Sequence, residues 1–287
     1  MQLTRLTPQF GVAITGVNLG TLTDAQFSEI KGIWHAHRGL MAFPQQHISD
    51  DDLLVFSRRI GQLDAPPNQE NGRQSPPGYP DIYVISNVKD NAGHPIGALG
   101  DGEAVWHTDM SYESKPPLAS MLTARELPAS GGGDTWFCDM TGAYEDLPPA
   151  LKQRIAKLQV KHDGTYNSGG FLRKGVTPTN DPVSAPGTLH PAVIRIPETG
   201  EACLYLGRRR MSYISGLPLA ESEALLDELW QYPTAEHRIY KHKWRIGDLV
   251  VWDNRTTMHR RDPFSPSDRR IMHRTQIKGA VAPAAFA

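Results

Sequence analysis

Three positions in this chain have the residue types to hold a redox-active metal. They are His107 and Asp109, in Trp106-His107-Thr108-Asp109, and the distant His259. Side chains of an extended strand alternate faces, so a histidine and a carboxylate two residues apart share one. A second histidine from elsewhere completes a set of two imidazoles and one carboxylate. Such a set covers one face of an Fe(II) octahedron and leaves three adjacent positions open for co-substrate and oxygen. On its own the His-x-Asp spacing is common, and a surface histidine beside a solvated aspartate is its plainer reading.

Those residues need a scaffold that can bury them. The chain has 287 residues, 39% of them hydrophobic, which is enough for a sizeable core. β-Barrels of this length often form one domain, and residues 1–287 are read here as one. The 26 glycines and 23 prolines suit many short strands joined by turns. A net charge of −1 favours neither nucleic acid nor an anionic membrane as partner. No apolar run approaches a membrane-crossing length, and Met1-Gln2-Leu3-Thr4-Arg5 lacks the apolar segment of a secretory signal. The only cysteines, Cys138 and Cys203, form no CxxC. That speaks against a disulfide framework or a structural zinc, and points to a cytoplasmic protein in surroundings that keep iron ferrous.

Thr23-Asp24-Ala25-Gln26 reads as a capping box opening a helix through Phe27, Ile30, Ile33 and Trp34, ended by Gly39. A strand at 40–43 stops at Pro44, and Ser49-Asp50-Asp51-Asp52 opens a second helix closed by Gly61. Two long Gly/Pro-rich loops, 65–80 and 87–103, flank a strand at 82–85 and read as a lid over the metal motif. Short strands are expected at 121–124, 135–138, 158–162, 192–196, 202–206, 239–244, 249–252 and 271–277. Helices at 141–157 and 220–232 interrupt them. This mainly β pattern with flanking helices argues for a sandwich or jelly roll.

Further motifs follow in order. Gly131-Gly132-Gly133-Asp134-Thr135 comes after the His-x-Asp, Trp252-Asp253-Asn254-Arg255 precedes His259, and Arg269-Arg270-Ile271-Met272-His273-Arg274 follows it. As a set these resemble the taurine/chlorophenoxyacetate (TauD/TfdA) dioxygenase family, over about Leu6 to Gly279. The resemblance implies a double-stranded β-helix, the cupin-like jelly roll, with Fe(II) in its mouth on His107, Asp109 and His259. It implies 2-oxoglutarate as co-substrate and O2 as oxidant. Arg270 would fork the distal carboxylate of 2-oxoglutarate, a task that suits a guanidinium. Thr135 would hydrogen-bond the same carboxylate, although this chain carries one glycine more before it than the family pattern.

Arg274 would lie near the co-substrate or an anionic substrate group. By strand parity it shares a face with Arg270, while Arg269 and His273 face away; a solvated charge run is the plainer reading of the three arginines. His162 and His190 match structural positions of the family. The carboxylate at Asp109 implies hydroxylation rather than halogenation. The implied protein is a homo-oligomer, a dimer or tetramer.

The implied reaction is hydroxylation of a small organic acid (an aryloxyalkanoate, a sulfonate or a related carboxylate) with release of succinate and CO2. Glu103 stands where close relatives show an asparagine near the substrate. Asn167-Ser168 and Phe137-Cys138-Asp139-Met140 lean toward the chlorophenoxyacetate branch. One of Arg208, Arg209 and Arg210, with Arg209 the candidate, would meet a substrate anion, a solvated cluster being the equal reading. Trp106 and Trp252 would wall the ligand segments. Two other classes are a zinc hydrolase on the same triad and a metal-free cupin-like binding module. The first lacks HExxH, GxSxG and P-loop support, and the second has no need of an arginine facing a triad.

Overall fold

Strands that are apolar on both faces set the architecture. At 249–253 Leu249 and Val251 enter one core, while Val250 and Trp252 enter another on the opposite face. The period of two puts alternate residues on opposite sides of a sheet covered on both. The computed structural model describes residues 1–66, 75–102 and 104–286. Glu103 and residues 67–74 of the expected lid lie outside the described residues.

The elements run β1 (Gln2–Arg5), β2 (Val12–Thr15), α1 (Asp24–Ala36), β3 (Leu40–Phe43), α2 (Asp50–Ile60), β4 (Tyr83–Ser86), β5 (Ala98–Leu99), β6 (Ala104–His107), β7 (Ala119–Glu126) and β8 (Thr135–Asp139). Then come α3 (Met140–Asp146), α4 (Pro149–Ile155), β9 (Gln159–Asp163), β10 (Gly187–Pro191), β11 (Val193–Arg195), β12 (Ala202–Leu204) and β13 (Tyr213–Ile214). The chain closes with α5 (Leu219–Trp230), β14 (Ile239–His242), β15 (Leu249–Asp253), β16 (Thr257–Arg261) and β17 (Ile271–Ile277).

A large sheet in the order β1-β2-β3-β15-β7-β17-β4-β5 faces a smaller one, β14-β8-β16-β6. Between them pack Phe137 and Trp244 from the small-sheet side and Leu40, Leu122, Val250, Trp252 and Met272 from the large one. This is a jelly roll. Helices α1 and α2 cover the outer face of the large sheet through Ile30, Trp34, Leu53 and Phe56. Helices α3, α4 and α5 cover the other side through Ala143, Leu151, Leu225 and Leu229.

Local signals account for the helix ends. Thr23 Oγ1 accepts from the Gln26 backbone N–H, and the Gln26 side chain accepts from the Thr23 N–H, so two otherwise unpaired donors are satisfied. The helix expected at 141–157 is two helices, because Pro148 and Pro149 remove donors and restrict the residue before each. The loop expected at 87–103 contains β5, paired parallel to β4. Strands β1, β2, β10, β13 and β16 had no clear sequence signal.

Gly39, at φ +76°, follows α1 so closely against the turn after β15 that a Cβ would meet Thr256 Oγ1 and lie 2.6 Å from Asp253 Cβ. Gly39→Ala should cost about 2–4 kcal/mol through strain and overlap together. A lowered Tm in thermal unfolding checks it; an unchanged Tm would mean that the turn yields freely.

Candidate active site

Antiparallel pairing of β16 with β6 sets His259 opposite His107, although they are far apart in sequence. Asp109 arrives differently from the strand-parity expectation. β6 ends at His107 and the chain turns at Asp109-Met110, Met110 taking φ 45°. The turn, rather than a shared strand face, carries the carboxylate to the imidazoles.

The three side chains are buried, with donor atoms all within 4.8 Å of one another. His107 Nε2 and His259 Nε2 lie 3.7 and 3.8 Å from Asp109 Oδ1. Adjacent ligands of an octahedral ion sit about 3 Å apart, so a small contraction closes the set on a metal. The donor types, nitrogen, nitrogen and oxygen, fit Fe(II).

The surroundings prepare each ligand. His107 Nδ1 donates to the Val105 carbonyl at 2.7 Å, which leaves the Nε2 lone pair facing Asp109. Burial lowers both histidine pKa values, so the imidazoles are neutral and ready to ligate at pH 7. His259 packs against Trp252 at a ring separation of 4.8 Å. Burial alone would raise the Asp109 carboxyl, but the Arg274 guanidinium beside it holds it well below the usual carboxylate range. Arg274 Nη1 donates to Asp109 Oδ1 at 3.2 Å, and Ser120 Oγ to Oδ2 at 2.8 Å. Behind Ser120, Asn254 Nδ2 donates to Ser120 Oγ at 3.3 Å, and Trp252 Nε1 donates to Asn254 Oδ1 at 3.0 Å. Ser120→Ala should leave the fold intact and weaken metal affinity roughly 10–100-fold, the usual cost of losing a partner that orients a ligand. Metal titration by calorimetry reads this, and wild-type affinity in the variant would deny Ser120 that role.

A small cavity beside the triad, about 70 Å³, is lined by Thr135, Arg261, Arg270 and Arg274 together with Ile85, Leu122 and Trp252. Arg270 precedes β17 and donates from Nη2 to the Gly133 carbonyl at 3.1 Å. A Cβ on Gly133, at φ +70°, would come within 2.9 Å of Arg270 Nε. The glycine run is therefore a turn that lets the guanidinium through. Trp244 Nε1 donates to Thr135 Oγ1 at 3.0 Å, which leaves the threonine hydroxyl hydrogen to donate elsewhere. Burial, with Arg261 nearby, pushes Arg270 down to about 9.

Outward from the triad opens a cavity of about 860 Å³. Apolar walls come from Tyr83, Met110, Phe171 and Leu172, and polar groups from Asn167, Ser168, Arg208 and Arg274. Residues 97–101 of the 87–103 loop form one side. Arg208 is buried, donates to the Tyr166 carbonyl and lies 3.9 Å from Asp163. Burial, then Arg173, pushes it down to about 10.

Arg209 needs correction. It pairs with Glu223 and Asp227 of α5, at 2.7 and 2.8 Å, and is not at the cavity wall. Neighbouring residues of an extended segment point opposite ways, and Arg208 takes the inward place because its backbone bridges His107. Arg210 stacks over the Tyr166 ring at 3.5 Å. Arg269 pairs with Glu126 at the surface, and His273 pairs with Asp50. His162 and His190 pack with Tyr205. Ser120, Trp244, Asn254 and Arg261 were not singled out as site residues from sequence. Only Asn254, inside the quoted Trp-Asp-Asn-Arg motif, carried a signal.

Residues 2–276 match the model of the taurine catabolism dioxygenase TauD, TfdA family. The chain belongs to this TauD/TfdA family. It is 32% identical to pentalenolactone F synthase of Streptomyces avermitilis, over 96% of this chain and 93% of that one. It is also 32% identical to the (S)-phenoxypropionate/alpha-ketoglutarate-dioxygenase of Sphingobium herbicidovorans, over 95% of this chain and 93% of that one. Among solved structures, AAD-2 in complex with Mn(II) and N-oxalylglycine superposes with a TM-score of 0.78 at 27% identity, covering 99% of each chain. As a TauD/TfdA protein it is a non-heme iron dioxygenase using Fe(II), 2-oxoglutarate and O2. The hydrolase and binding-module readings fall away. Among the described residues no helix is long and apolar enough to cross a membrane.

Proposed function

We propose that His107, Asp109 and His259 hold the iron, that Arg270 and Thr135 hold the distal carboxylate of 2-oxoglutarate, and that the chain hydroxylates a small aryloxyalkanoate-like or related organic acid. The observation that carries the substrate reading is the composition of the large cavity. Arg208 and Arg274 line it together with His107 and Asp109, while Tyr83, Phe171 and Leu172 offer apolar walls for a ring or chain. Asn167 and Ser168 line the same space. The relative that acts on (S)-phenoxypropionate is consistent with this class.

When bound, Fe(II) supplies the site where O2 is reduced as 2-oxoglutarate loses CO2 to become succinate. The protein's part is placement and exclusion. Arg274 compensates Asp109, the two guanidinium groups fix an anion so that a particular C–H faces the triad, and the aromatic walls displace water. Residues 97–101 cover one side of the cavity as a lid on what is one catalytic domain. A cytoplasmic homo-oligomer is the setting we infer, in keeping with two buried free cysteines.

Succinate formation under air with Fe(II) and ascorbate, across aryloxyalkanoates, sulfonates and small carboxylates, tests the proposal. Turnover stimulated by an aryloxyalkanoate, with a substrate KM raised in Arg208→Gln, is expected. Stimulation by sulfonates alone would overturn the substrate class.

A further inference from the structure

The small cavity beside the triad contains one cation too many for the residues assigned to it. Arg261 ends β16 two positions after His259, so parity puts both side chains on the same face. It lines the cavity with Arg270 and Thr135. Both guanidinium groups approach one ring, with their carbons 5.6 and 5.9 Å from the centre of Phe264. Both are buried, at 7% and 1% exposure. The Nε of each is buried without a hydrogen-bond partner among the described residues. Arg261 spends its Nη2 on the carbonyls of Leu99 and Gly102, which leaves Nε and Nη1 for something else.

Two like charges buried around one small cavity, with Asp101 and Asp134 acting on them only from beyond ion-pair distance, are costly, and an anion placed between them removes the cost. We propose that Arg261 is a second guanidinium for the distal carboxylate of 2-oxoglutarate, acting with Arg270, so that the pocket selects 2-oxo acids that carry a second carboxylate. The inference rests on the reading that Arg270 and Thr135 hold this co-substrate. Through its bonds to Leu99 and Gly102, Arg261 also joins that carboxylate to the loop that walls the large cavity.

Calorimetry on the Mn(II)-loaded full chain tests it without turnover. The probes are N-oxalylglycine, which has both carboxylates of 2-oxoglutarate, and pyruvate, which lacks the distal one. Arg261→Gln should weaken N-oxalylglycine binding about 10–100-fold, the worth of a hydrogen bond to a charged group, and leave pyruvate unchanged. Arg261→Lys, which keeps the charge, should recover part of the loss and serves if the glutamine variant does not fold. Equal weakening of both probes, or none, would mean that Arg261 only pins the 99–102 segment, and would overturn the proposal. Arg270→Gln separates the two ideas. If it weakens N-oxalylglycine while Arg261→Gln does not, only the role of Arg261 fails. If neither variant matters, the whole placement of the co-substrate fails.

Discussion

Asp109→Ala is expected to abolish succinate formation and to weaken Fe(II) binding beyond the roughly 10–100-fold expected for loss of an outer partner such as Ser120. Asp109 is the single anionic donor of the set and the point on which both imidazoles and Arg274 converge. Its removal takes away a ligand and also leaves the buried Arg274 guanidinium without the carboxylate it faces. Losing one member of a buried ion pair is more costly than never having had the pair. The variant should therefore melt earlier than wild type, and Arg274→Met placed on top of it should restore part of that stability. Anaerobic iron titration, succinate assay and thermal unfolding read the three parts. Activity near the wild-type level in Asp109→Ala would remove the triad from the mechanism. Set beside Ser120→Ala, the variant makes a graded pair, one deleting a donor and the other only its orientation.

Arg270→Met should separate function from stability. The KM for 2-oxoglutarate should rise by roughly 30-fold to several thousand-fold, the range for truncating one partner of a buried, hydrogen-bonded charge pair. The primary substrate's KM should change far less. Without co-substrate, however, Arg270 is a buried cation whose pKa is pushed down by desolvation and by Arg261. An apolar side chain of similar length should leave the apo-protein as stable as wild type or more so. Adding 2-oxoglutarate with Mn(II) should raise the Tm of wild type and not that of the variant. Arg270→Lys should not rescue, because an ammonium lacks the planar fork. A large loss of apo-protein stability in Arg270→Met, with 2-oxoglutarate affinity retained, would make Arg270 a structural residue.

What local spacing encodes was legible in the chain. Thr23 with Gln26 and Ser49 with Asp52 cap their helices as their spacing implies, since a cap is closed within one turn. A short continuous apolar run such as 249–252 marks a strand because a sheet covered on both sides buries both faces of the pleat. The ligand types, their order and the Arg270 spacing carried the family and the jelly roll, which the comparisons show. Partner register is another matter. That His259 stands opposite His107, that the chain turns at Asp109, and that Ser120 and Asn254 meet behind the carboxylate depend on pairings between distant strands. One residue of slip in any of them would send the same side chains to the opposite face. The arginines show the limit most sharply. Arg208 and Arg209 are alike in type and adjacent in sequence, yet a backbone bridge to His107 turns one into the cavity and leaves the other to the carboxylates of α5. Residue types named the chemistry available to this chain; only the packing of its two sheets decided which charges are buried together, and so which of them demand an anion.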